Sequence, residues 1–166
     1  MIKFNIFHPL RFPLHQTSLY GLVLFAGLLA AGCSASHAGD KKQLKADADS
    51  FATFYFNWQF RKAIPFCTSG SQKWLRYAAS NVHTADLPVL RGKTDGASCH
   101  IHKIKFVNDS AAEVILTVND YVCMDTIGKS GRVVSHAQFR LPMIFQNHKW
   151  KVKMEDLPRS EKPDHD

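Results

Sequence analysis

Ala137-Gln138-Phe139-Arg140-Leu141-Pro142-Met143-Ile144-Phe145-Gln146-Asn147-His148-Lys149-Trp150-Lys151-Val152-Lys153-Met154 alternates apolar and polar side chains on both sides of an Asn-His pair. A period of two marks a half-buried strand, and two such runs around two turn-forming residues mark a hairpin. Cross-strand partners in a hairpin have a constant sum of residue numbers and point to the same face. A two-residue Asn147-His148 loop therefore pairs Phe145 with Trp150 and Met143 with Val152, all on one apolar face. Lys149, Lys151 and Lys153 fall on the other face, where a charged row discourages edge-to-edge aggregation.

The same parity extends backwards. Cys99 to Val107 and Ala111 to about Met124 also alternate, with Asn108-Asp109-Ser110 as turn chemistry between them. A three-residue loop there pairs Phe106 with Ala112 and Ile104 with Val114. A two-residue Lys129-Ser130 loop inside Gly128-Lys129-Ser130-Gly131 pairs Leu141 with Val118 and Leu116 with Met143. On the opposite face Lys105 meets Glu113 and Arg140 meets Glu155. Pro142 has no N–H to give to a ladder, so a bulge is expected beside it. The result is a four-stranded antiparallel meander.

Helices precede the meander. Leu44, Ala48, Phe51, Tyr55 and Trp58 lie on one helical face across residues 43–62, widened by Phe54, until Pro65 interrupts. Ser69-Gly70-Ser71-Gln72 fits a capping box, and Ser71, Leu75, Ala78 and Val82 share a face of a second helix. The segment 83–96, with Pro88, Gly92 and Gly96, lacks a long period and reads either as a lid or as a loop that hides a short helix around Leu87–Leu90. The fold class is α+β, with N-terminal helices packed on a curved four-stranded antiparallel sheet.

The chain of 166 residues is 45% hydrophobic and carries +7, which excludes a disordered solvating chain and a multispanning membrane protein. No compact basic run accompanies the positive charge, so nucleic acid is not implied. Residues 1–32 read as an address. Lys3 and Arg11 precede an uncharged apolar stretch, Leu19 to Ala31, that is short for a bilayer span and of signal-peptide length. It runs into Leu29-Ala30-Ala31-Gly32-Cys33, which resembles the lipobox of bacterial lipoproteins. That resemblance implies cleavage before Cys33 and acylation there, giving stable attachment through two or three chains. The expected mature chain has 19 basic and 14 acidic side chains. Residues 33–42 are expected as a tether, 43–156 as the folded domain and 157–166 as a disordered tail. Ser34 after the cysteine implies the outer membrane, facing the periplasm, by resemblance to enterobacterial lipoproteins.

Helices followed by a curved sheet that ends in Lys149-Trp150-Lys151-Val152 resemble the nuclear-transport-factor-like, or cystatin-like, cone. That family holds non-catalytic binding modules as well as isomerases, dehydratases and cyclases, so the fold does not choose a function. Parity places His100 and His102 on the face of Ile104, with inward Asp120 diagonal to His100, while Tyr121 points outward. Together with Phe54, Tyr55 and Trp58 these are the candidate ligand-binding residues. An imidazole beside a carboxylate can act in acid–base catalysis, and His100 with His102 offers two metal ligands without an evident third. No cofactor and no metal are expected. The leading expectation is a non-catalytic envelope lipoprotein that binds a small molecule or a protein. The alternatives are a small periplasmic lyase or isomerase using His100, His102 and Asp120, and an accessory subunit of an envelope complex.

Of the cysteines after Cys33, Cys67, Cys99 and Cys123, an odd number leaves at least one thiol unpaired within the chain. The register sets Cys99 opposite Asn119 and Cys123 opposite His136. That spacing is too long for a bond between Cys99 and Cys123.

Overall fold

The structure, a computed structural model, describes residues 36–124 and 129–161, with side chains described from residue 41. The expected signal peptide, Cys33, Gly128 and residues 162–166 lie outside these. The chain separates into two units, Met1–His37 and Ala38–Asp166, and the account below concerns the second.

Helix α1 spans Ser36–Phe56. Residues 36–42, expected as part of a tether, are thus helical, in keeping with the good helix propensity of Ala38, Lys41 and Lys42. Leu44, Ala48, Phe51 and Ala52 are buried along its inner face. The aromatic periodicity suggested a helix to residue 62, but α1 stops at Phe56. Its end is closed by bonds from the Trp58 N–H to Tyr55 O (3.0 Å) and from the Gln59 N–H to Phe54 O (2.8 Å), with Trp58 at φ 57°. This is a Schellman closure. A short α2, Phe60–Ala63, follows, then a 3-10 turn at Ile64–Phe66.

Helix α3 covers Gln72–Ser80, buries Leu75 and Ala78, and has no side-chain cap. Ser71 is instead spent on the sheet: its Oγ accepts the Met154 N–H at 2.8 Å and shares a 2.6 Å hydrogen bond with Thr68 Oγ1. The expected capping box is absent: Ser69, which would cap it, lies inside a 3-10 turn, Ser69–Ser71, and that turn has no side-chain cap either. Of the two readings of residues 83–96, the short helix is the one present, as α4, Leu87–Arg91.

The sheet is an antiparallel meander in the order β1 (Ser98–Asn108), β2 (Ala111–Cys123), β3 (Arg132–Gln146), β4 (Lys149–Val152). The α+β architecture is the one expected. Phe145 pairs with Trp150 and Met143 with Val152, and Asn147 and His148 both have positive φ, as a type I′ hairpin turn requires. Ile104 pairs with Val114 and Phe106 with Ala112, also as expected.

The β2–β3 register differs. Val118 pairs with Ala137, Leu116 with Phe139, Val114 with Leu141 and Ala112 with Met143, a shift of four residues. The physical reason is the connection: Met124 to Gly131 separates the strands, so Lys129-Ser130 is not a two-residue loop. An even shift preserves parity, and the same apolar residues remain buried. No bulge lies at Pro142. Its carbonyl accepts the Lys153 N–H at 2.8 Å, so its nitrogen faces the same side, just past the end of β4, and its missing donor costs the ladder nothing.

The tail is not disordered through residue 161. Ser160 bridges to Phe139, the Glu161 N–H donates to Gln138 O at 2.8 Å, and Arg140 Nε holds the Glu161 carboxylate at 2.7 Å. Arg140 also reaches Glu113 at 3.4 Å, while Glu155, its expected partner, lies near Lys153 at 3.4 Å. An arginine with two acidic neighbours and an open β3 edge pins a strap that composition alone marks as polar.

Candidate functional site

The inward polar cluster expected from parity does not form. A register shift between Ile101 and Lys103 separates the expected pairing above it from a new one below, in which Ile101 opposes Leu116, His100 opposes Thr117 and Cys99 opposes Val118. One unpaired residue reverses the facing of everything beyond it. Cys99 and Ile101 thereby turn toward the core, whereas His100 and His102 are exposed. The two imidazoles sit 4.9 Å apart, edge to face, and His102 Nε2 meets Thr117 Oγ1 at 2.7 Å. His100 borders an open groove with Lys42, Lys45 and Asp49.

Asp120 is exposed too. It adopts φ 52°, and its carbonyl accepts a hydrogen bond from Lys93 Nζ. This left-handed residue breaks the alternation of β2, so Tyr121 turns inward and is 7% exposed. The expected facings of Asp120 and Tyr121 are thus exchanged. His100, His102 and Asp120 do not converge. Among the described residues no group of three or more His, Cys, Asp or Glu side chains is placed to hold a metal ion.

The aromatic residues fare differently. Tyr55 and Trp58 line a cavity of about 320 Å³, together with Phe56, Phe60, Tyr121 and Phe139. Phe54 stands apart from it, against Phe66 at 5.8 Å and beneath Lys62. Val122, Cys123 and Met124 continue the wall from β2, and the strap Leu157–Ser160 closes one side. The rings brace one another: Phe56 lies 4.5 Å from Phe139 and 5.7 Å from Tyr121, and Tyr55 packs edge-on to Phe60 at 5.6 Å.

Backbone strain borders this cavity. Trp58 holds a conformation that bulky residues rarely adopt. It is kept there by its indole Nε1–H, which donates to Val122 O at 3.0 Å, and by the Asn57 side chain. That amide donates to Ala97 O at 3.0 Å and accepts the Ala97 N–H at 2.8 Å. The end of α1 is thus tied to both β2 and the start of β1.

The polar groups of the cavity are few. Arg159 pairs with Asp156 at 3.3 Å and is 83% exposed, at the rim. The Cys123 thiol lies 3.5 Å from Met124 O. Among the described residues neither the Tyr55 nor the Tyr121 hydroxyl has a hydrogen-bond partner. Burial, then the neighbouring Cys123 and Asp156, raises the Tyr55 phenol above its ordinary pKa. Burial and Cys123 raise Tyr121 likewise, against the lowering effect of Arg132. Both therefore remain protonated donors at neutral pH.

Cys67, Cys99 and Cys123 are all free thiols. Cys99 opposes Val118 and Cys123 opposes Arg132, rather than Asn119 and His136. Five positions along β2, at about 3.3 Å each, keep Cys99 and Cys123 apart, so the expected absence of that bond holds in the corrected register. Burial, aided by Asp49, pushes the Cys99 thiol up to about 12.

Sequence reasoning missed Tyr121, Phe56, Phe60, Phe139, Cys123 and the strap as cavity residues. One signal was present: Asn119-Asp120 joins two residue types that tolerate the left-handed region, and a strand interrupted there reverses its facing. The strap carries no comparable mark.

No family model matches this chain, and no curated protein matches it. Two solved structures are similar in fold. One is an NTF-2-like protein of unknown function from Shewanella oneidensis MR-1, at 11% identity and a TM-score of 0.47, covering 69% of this chain and 94% of its own. The other is an Ntf2-like protein involved in plasmid conjugation, at 14% identity and a TM-score of 0.35; 72% of this chain matches 50% of that one.

Proposed function

We infer that this chain is a membrane-anchored envelope lipoprotein whose α+β domain is a non-catalytic module that binds a small apolar molecule. The observation that carries the binding reading is the cavity of about 320 Å³ walled by Tyr55, Phe56, Trp58, Phe60, Tyr121 and Phe139. A mostly aromatic pocket with a few polar groups is the usual form of a small-molecule site. The enzyme alternative loses its support, since His100, His102 and Asp120 are all exposed and Asp120 does not join the two imidazoles.

Native mass spectrometry of the full lipidated protein, released from its own membrane in mild detergent, is expected to show a small-molecule adduct. Cys123→Phe, which fills the cavity from a half-buried position, should lose that adduct. An adduct retained unchanged in Cys123→Phe would place the ligand elsewhere.

Anchoring rests on Leu29-Ala30-Ala31-Gly32-Cys33. Cys33→Ala is expected to abolish incorporation of a palmitate analogue and to release the chain from the membrane fraction, while the folded domain keeps its thermal transition. Label incorporated at the wild-type level by Cys33→Ala would refute the lipoprotein reading.

A further inference from the structure

The cavity is apolar except for a small set of groups, and those groups are selective. Trp58 Nε1 is committed to Val122 O. The Arg159 guanidinium lies at the rim against Asp156. Besides Ser160 of the strap and the Cys123 thiol, two phenols stand in the aromatic wall, Tyr55 on α1 and Tyr121 on β2, both lining the space and neither hydrogen-bonded among the described residues. Each is a donor in want of an acceptor. Among the described residues the buried side-chain atoms without a partner are Trp74 Nε1 and Trp150 Nε1, so both phenols are open to water in the cavity, and a ligand's acceptor would take the place of that water.

We propose that the cavity takes an uncharged aromatic ligand bearing a carbonyl-type acceptor, which the Tyr55 and Tyr121 hydroxyls hold. This rests on the reading of the cavity as a ligand site and adds the chemistry of its occupant. The flat body follows from the wall: Tyr55, Phe56, Trp58, Phe60, Tyr121 and Phe139 offer ring faces and edges, which favour offset or edge-on contact with another ring. The acceptor follows from the two donors. The absence of charge follows from the surroundings. The wall is mostly aromatic, and a carboxylate taken out of water there without a paired cation would be costly. The rim arginine does not reverse this, being exposed and already paired.

Three probes of one shape separate the parts of this claim: 2-acetylnaphthalene, 2-ethylnaphthalene and 2-naphthoate. Binding is measured on the full chain in lipid nanodiscs, subtracting partition into empty discs. The acetyl compound is expected to bind about five- to tenfold more tightly than the ethyl compound, the worth of one hydrogen bond. It should also bind at least about tenfold more tightly than the carboxylate at pH 7. The double variant Tyr55→Phe/Tyr121→Phe should equalise acetyl and ethyl affinities while keeping the ethyl affinity, and its thermal melt should match the wild type because no existing hydrogen bond is removed. Equal acetyl and ethyl affinities in the wild type, a preference for 2-naphthoate, or an acetyl preference that survives the double variant would overturn the proposal and leave the ligand site standing. Failure of all three probes to bind would overturn both.

Discussion

Trp150→Ala is expected to lower the unfolding free energy by about 3–5 kcal/mol, the range for truncating a large buried aromatic. Trp150 is fully buried. Its ring lies 5.4 Å from Phe145 and 5.9 Å from Phe106, so removal leaves a hole between β4, β3 and the far strand β1. Its backbone N–H is held by Asp47 Oδ2 of α1 at 3.0 Å, which fixes where the helix crosses the sheet. The indole Nε1 is buried without a partner among the described residues. Trp150→Phe therefore loses volume but no side-chain hydrogen bond, and should cost no more than about 1–2 kcal/mol. Urea titrations of both variants, read as a shifted midpoint at unchanged slope, test the ordering. A loss under about 2 kcal/mol for Trp150→Ala would mean that the aromatic layer is not the centre of the core.

Asp86→Ala is expected to cost about 3 kcal/mol, although nothing in its sequence neighbourhood marks it as exceptional. The residue is 2% exposed. Its Oδ1 accepts the Gly131 N–H at 2.6 Å and its Oδ2 the His83 N–H at 2.8 Å. The first bond ties the segment before α4 to the start of β3, 45 residues away in the chain. Hydrogen bonds to a buried charge are worth more than neutral ones, and deletion leaves two backbone donors unsatisfied. Gly131 belongs to the same junction: a Cβ there would stand 2.9 Å from Val122 Cγ1 and 3.0 Å from Cys123 O. Asp86→Asn keeps one acceptor but sets an amide N–H against a backbone N–H, so about half the loss should remain. The same urea titration decides it, and a loss below about 1 kcal/mol for Asp86→Ala would show that the junction is held by other contacts.

These two residues mark how far the chain can be read locally. Trp150 was legible because its neighbours obey a period of two and face the Asn147-His148 turn, and a strand's facing is set by parity alone. The β3–β4 and proximal β1–β2 registers came out for the same reason. The β2–β3 register did not, since a loop of unknown length moves a register without changing parity. The buried set survived that error because the shift was even.

Where parity itself was broken, local reading failed. The irregularity between Ile101 and Lys103 sends His100 and His102 to solvent, and the left-handed Asp120 turns Tyr121 inward. A left-handed residue is a single-residue event whose cost is borne by distant partners. Asp120 is held through its carbonyl by Lys93, and Trp58 by Val122.

The sequence by itself determined the element order, the hairpin at Asn147-His148, the inward face of the sheet and the aromatic stripe that ends in Tyr55 and Trp58, because periodicity is a property of neighbours along the chain. Only the tertiary structure decided that Tyr121, Phe139 and the strap Leu157–Ser160 complete a cavity with them, and that Asp86 holds Gly131. Those contacts join segments dozens of residues apart, and their energy comes from desolvation and hydrogen bonding that exist only once the segments meet.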